Sequence, residues 1–186
     1  NIIVPNLAGG PPLKKFSPSS ANSEVSFFVE PSFFQIFDFQ WLAGDPATAL
    51  NEVNTLVLPK KTAEKCFGNW QEAMGKSVLL DNLIPVTVRG VVSDLPTNCD
   101  FPINALISYT TLKPNAKLYF YEESWGGCSS NNQVFALLRD PNQWASANAV
   151  LAKVGEKEYN HRGDKFGKQH LLQAFSDLHY NENLGT

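Results

Sequence analysis

The sequence predicts an α+β fold, and three observations carry the prediction. Short runs rich in β-branched and aromatic residues, Val25–Val29, Thr55–Leu58, Ser77–Leu80 and Ile84–Val92, read as strands. Two stretches with helical spacing, Pro59–Phe67 and Trp144–Tyr159, interrupt and follow them. Ser77–Leu80 and Ile84–Val92 are separated only by turn chemistry at Asp81-Asn82, so those two runs form an antiparallel hairpin rather than a crossover. Strands alternating with helices, but with antiparallel pieces among them, are the signature of α+β.

Taken in order, the opening residues 1–24 are rich in Pro, Gly, Ser and Asn, including Gly9-Gly10-Pro11-Pro12, and read as a loop or tether. Pro31 stops the first strand and suits the start of a short helix through Phe37. Phe33, Phe34, Ile36 and Phe37 are too many apolar positions for one stripe, so that helix is expected to be buried on most sides. Gly44-Asp45-Pro46 makes a turn. Gly68 suits a left-handed stop to the Pro59–Phe67 helix. In the long strand, Val86, Val88 and Gly90 face one way and Thr87, Arg89 and Val91 the other, with Pro85 at its beginning or on an edge. Ile103–Ser108 is a further strand, Lys113–Gly127 carries few periodic cues, and Gln133–Arg139 reads as a central strand. Asp140-Pro141 supplies an N-cap and a first-turn proline. Trp144, Ala147, Leu151 and Val154 then mark the buried stripe of an amphipathic helix, and Lys168–Phe175 reads as a last strand.

Composition bounds the function. The chain has 186 residues, 43% hydrophobic and 18% charged, with 13 Phe, 5 Tyr and 4 Trp, which describes a well-packed globular body rather than a disordered tail. A net charge of −3 and no Lys/Arg run longer than two exclude a nucleic-acid footprint. No window approaches the roughly 18–20 uninterrupted apolar residues that cross a bilayer. The chain opens at Asn1 and its only methionine is Met74, so it reads as a piece of a longer protein.

Reactive constellations have characteristic spacings, and the chain lacks the common ones. Dinucleotide, phosphate-loop, zinc-protease and nucleophile-elbow motifs are missing; Gly75-Lys76-Ser77 ends like a phosphate loop but lacks its upstream glycine and reads as a hairpin start. His161, His170 and His179 share no helix face, and no base is in view to activate the serines of Ser93-Asp94 or Ser176-Asp177. Glu122-Glu123 are chain neighbours and do not face each other across a substrate. No cofactor, metal or catalytic residue is expected. Of three cysteines, Cys66 reads as a small buried hydrophobe on the first long helix. Cys99 and Cys128 lie in polar, turn-like contexts and are either two free thiols or a disulfide, which would stabilise the fold by roughly 3–4 kcal/mol. The aromatic group Tyr119, Tyr121 and Trp125 offers either core packing or a stacking platform for a glycan or peptide.

Six phrases, in order, carry a resemblance. They are Phe33 to Leu50; Asn54-Thr-Leu-Val-Leu58; Ala63-Glu-Lys-Cys-Phe-Gly68; Met74-Gly-Lys-Ser-Val-Leu-Leu80; Val86-Thr-Val-Arg-Gly-Val-Val-Ser-Asp-Leu-Pro96; and Leu171-Leu-Gln-Ala-Phe-Ser-Asp-Leu-His179. Together they resemble the MacB-like periplasmic core domain of FtsX-type ABC transporter permeases. Cys66, Trp70 and Ala174 depart from that family's usual residues.

The resemblance implies a porter-like subdomain built from N- and C-terminal segments, 25–50 plus 130–186, with a smaller α/β subdomain, 51–129, inserted between them. It implies a non-catalytic domain on the periplasmic side of the bacterial inner membrane, between transmembrane helices that this chain does not contain. It implies as partners a cytoplasmic ATP-binding subunit or domain, a second permease copy, and a periplasmic adaptor or lipoprotein. The expected function is to transmit ATP-driven movement of the transmembrane helices; the alternative is an extracytoplasmic ligand-binding module using the Tyr119–Trp125 aromatics.

Overall fold

The computed structural model describes residues 2–3, 25–81, 83–96, 99, 103–119, 121, 133–159 and 170–177. The chain divides into two compact units, Asn1–Glu122 and Glu123–Thr186. The fold is α+β, as the sequence predicts.

The first unit is organised by one mixed sheet. Its strands are β1 (Ile2–Ile3), β2 (Val25–Val29), β3 (Trp41–Gly44), β4 (Thr55–Pro59), β5 (Ser77–Leu80), β6 (Ile84–Val92) and β7 (Ile103–Ser108). They run in the order β1-β5-β6-β4-β7-β2, and β3 adds to β6. β6 is the spine. One of its edges pairs in parallel with β4 from Thr87 to Val92; the opposite edge takes β5 up to Thr87 and β3 from Gly90 to Val92, both antiparallel. β4 begins opposite Thr87, so Pro85 sits where no bond from β4 asks for its missing N–H.

Alternation sends the strand side chains into two cores. Leu56 and Leu58 of β4 and Ala105 and Ile107 of β7 join Val78, Val86 and Val88 on one face. That face is covered by helix α2 (Lys60–Phe67), which contributes Ala63 and the buried Cys66. Val57, Val92 and Leu106 point the other way, to Leu50 and the rings of Phe33, Phe34, Phe39 and Trp41. Helix α1 (Phe33–Ile36) therefore lies at the edge of this second core, each apolar residue half-buried rather than enclosed. α2 ends as expected: Gly68 adopts φ 81° and its N–H reaches the Glu64 carbonyl at 2.7 Å.

The sequence reading missed β3, because Gln40–Gly44 has no alternation of its own. Its place is made by Gly44, at φ 91°, where a Cβ would lie 2.4 Å from the Arg89 carbonyl oxygen. The grouping of 25–50 apart from 51–129 also meets this sheet: β2 pairs with β7 and β3 with β6, so strands from both segments share one hydrogen-bonded layer.

In the second unit Asp140 accepts from the Asn142 N–H at 2.8 Å, Pro141 takes the first position, and a single 3₁₀ turn leads into α4 (Trp144–Tyr159). Here α3 (Ala116–Tyr119), in the first unit, is the one remaining helix among the described α-helical residues. Two expectations are corrected. Gln133–Leu138 is not a strand: it is irregular, with Val134 95% and Leu137 70% exposed. The described part of Lys168–Phe175 is not a strand either; residues 170–174 run beside α4, with the Leu172 N–H on Asn148 Oδ1 at 2.8 Å, and a 3₁₀ turn follows at Phe175–Asp177. Both segments have strand-forming side chains, but a strand is defined by a partner ladder, and among the described residues neither has one.

Candidate functional site

Three places in the first unit bear on function. The first is the Val86–Pro96 phrase. Gly90 is buried under the indole of Trp41; a Cβ there would lie 2.5 Å from the ring's Cζ3 and 3.1 Å from Val57 Cγ2. Asp94 lies past the strand end, and its Oδ1 accepts the Lys61 N–H at 2.8 Å. The residue before α2 is Pro59, whose side chain offers no acceptor, so Asp94 caps the helix from 33 positions away in the chain. Ser93 Oγ meets Gln40 Oε1 at 3.1 Å and its N–H the Gln40 carbonyl at 2.8 Å, anchoring β3. Glycine, aspartate and serine here are architectural.

The second is Tyr119. Its ring meets Phe28 edge-on at 4.9 Å, and its hydroxyl donates to Asp81 Oδ2 at 2.9 Å. Burial, then the hydrogen bond to Asp81 and that carboxylate's charge, push the Tyr119 hydroxyl well above the usual tyrosine range. Asp81 holds φ 50° at the tip of the β5–β6 hairpin, so this bond ties α3 to the hairpin. Tyr121 instead sets its ring against Tyr109 at 5.9 Å. The two tyrosines thus engage different neighbours; Trp125 lies outside the described residues.

The third is a pocket of about 130 Å³ lined by Phe33, Phe37, Asp38, Phe39, Leu95 and Ile103, with Cys99 at its wall. Sequence reasoning did not find it, because its lining comes from three separated segments. Cys99 is a half-buried free thiol; Cys128, its candidate partner, lies outside the described residues. Cys66 is 6% exposed, the small buried hydrophobe expected. Of the histidines, His170 is described: its Nε2 lies 3.0 Å from the Tyr159 hydroxyl. His161 and His179 lie outside the described residues. Among the described residues no three His, Cys, Asp or Glu side chains cluster as a metal site would require, and no helix is long and apolar enough to cross a membrane.

A family model described as the MacB-like periplasmic core domain matches residues 3–154. The chain belongs to this family. It is therefore a MacB-like periplasmic domain of the ABC transporter permease class, and such a domain is extracytoplasmic. Among solved structures, it is similar to a domain of a candidate permease protein from Porphyromonas gingivalis, at 19% identity and TM-score 0.53, over 82% of this chain and 69% of that one. It is also similar to the periplasmic region of MacB from Actinobacillus actinomycetemcomitans, at 20% identity and TM-score 0.42, over 62% of this chain and 46% of that one. The first likeness concerns the fold alone; the second is too distant to add to it. No protein of curated function matches the chain. For the MacB-like domain, the Val86–Pro96 phrase now has a physical meaning: it holds the sheet, the indole and α2 in one piece.

Proposed function

We propose that this MacB-like domain is a non-catalytic, force-transmitting body: it passes ATP-driven movement of the permease's transmembrane helices to partners in the cell envelope. The observation that supports this most directly is the β6 spine, hydrogen-bonded along both edges, with Ile84, Val86, Val88 and Val91 packed into one core and Val92 into the other. Residues Ile2–Ile3 are bonded into the same sheet through β5, so displacement at that point of the chain reaches the spine without a compliant linker. A lever needs stiffness, and close-packed interiors supply it. The partners on this reading are a cytoplasmic ATP-binding subunit or domain, a second permease copy and a periplasmic adaptor or lipoprotein, and the membrane is the bacterial inner membrane.

The test uses the full-length permease with its ATP-binding subunit in liposomes. Softening the sheet with Gly90→Ala is expected to lower the transport or partner response per ATP hydrolysed, while basal hydrolysis is retained. A transporter that keeps full coupled activity with this domain deleted, or an isolated domain that turns over a substrate, would refute the reading.

A further inference from the structure

The pocket beside Asp38 has a chemistry that force transmission does not use. Its walls are the rings of Phe33, Phe37 and Phe39 and the aliphatic ends of Leu95 and Ile103. Those rings are braced against one another, Phe33 to Phe37 at 4.6 Å and Phe33 to Phe39 at 5.8 Å, and Phe33, Phe39 and Ile103 pack on the second core. The pocket is therefore preformed on a rigid base. At about 130 Å³ it is near the size that encloses one benzene-sized group, and well below the roughly 300–1,000 Å³ of sites for whole small molecules. Among the described residues, one charged group lines it. Asp38 is exposed, sits between two of the wall residues, and its carboxylate has no hydrogen-bond or ion-pair partner among the described residues. An apolar hole for a single side chain, with the exposed Asp38 among its lining residues, is complementary to an apolar anchor next to a cation.

From this we infer that the pocket is a docking site for a segment of a partner protein in which one phenylalanine- or leucine-sized side chain stands beside a lysine or arginine. The anchor fills the space between the phenylalanines. The neighbouring cation pairs with Asp38 and lies against the ring faces, which attract positive charge. This inference is independent of the force-transmitting reading, because it requires only the pocket and its carboxylate.

The experiment titrates the 186-residue chain with capped Gly-Phe-Lys-Gly, followed by the methyl NMR signals of Leu95 and Ile103. Saturable shifts are expected. Replacing Lys in the peptide by Gln should weaken binding about two- to fivefold, the worth of one exposed charge pair. Replacing Phe by Ala should weaken it on the order of tenfold or more. In the Asp38→Asn protein, whose exposed substitution leaves the signal dispersion of the fold unchanged, the Lys and Gln peptides should bind alike, and added salt should lose its effect. The inference is overturned if the Lys peptide gives no saturable shift, if the Gln peptide binds as tightly, or if Asp38→Asn changes nothing. Free phenethylammonium binding at least as tightly as the peptide would also overturn it, assigning the pocket to a small amine.

Discussion

Gly90 shows how much one missing methyl group can hold. It lies in the middle of the spine, and the space a Cβ would take is already occupied by Trp41 Cζ3. Forcing that methyl in moves either the indole or the strand, which costs about 1–3 kcal/mol in a packed core. Gly90→Ala should lower stability by that much in urea unfolding. Phenylalanine lacks the far ring of the indole, so in a Trp41→Phe background the same change should cost less, with a coupling of about 0.5 kcal/mol or more. Equal costs in both backgrounds would show that the contact is not what selects glycine. Asp94 makes a parallel case. Asp94→Ala should cost about 1 kcal/mol, the usual loss on removing an N-cap acceptor, and Asp94→Asn markedly less because the amide oxygen still accepts from Lys61. If alanine and asparagine behave alike, the cap contributes nothing.

At the level of elements, the strands that alternate strongly were legible in the sequence, and those defined by partners were not. β4, β5, β6 and β7 lie where their β-branched runs place them, and the hairpin turns at Asp81 as the composition predicts. β3 has no periodicity because its register is set by Gly44 closing onto Arg89, a contact 45 residues away in the chain. Gln133–Leu138 is the opposite case, a strand-like pattern without a ladder. The pocket was illegible for the reason β3 was: Leu95 and Ile103 line it together with Phe33 from far along the chain. Tyr119, by contrast, was visible as an aromatic, but its role as the tie between α3 and the hairpin depends on Asp81. That tie has a pH signature. The hydroxyl's folded pKa is raised, so its stabilisation is fully present below the unfolded tyrosine value of about 10 and is lost as pH climbs above it. Wild type should therefore lose stability between about pH 9 and 11 more steeply than Tyr119→Phe, measured by urea midpoints. Parallel slopes would mean that the hydroxyl is not held neutral by the fold.

For the whole molecule, the described members of both hydrophobic cores lie between Val29 and Ile107, with partly buried rings reaching from Phe27 to Tyr119. All of them fall in the unit that ends at Glu122. α4, the longest helix described, contributes its buried Gly155 and Tyr159 to neither core. Stability in a two-state domain follows the apolar surface buried together, so a chain that keeps every described member of both cores is expected to keep its cooperative transition. A chain ending at Glu122 should consequently unfold in one step, with the β4, β6 and β7 amide signals of the full chain and a midpoint displaced by less than Gly90→Ala displaces it. Thiol counting in denaturant, before and after reduction, adds the covalent side of the argument. If protein made by an oxidising secretory route shows one free thiol, and alkylation in denaturant places it at Cys66, then Cys99 and Cys128 are bonded. The full chain should then be stabilised over its reduced form by roughly 3–4 kcal/mol, while the shortened chain, lacking Cys128, shows no redox dependence. Three free thiols would refute the bond, and an unfolded shortened chain would show that the sheet relies on residues 123–186 after all.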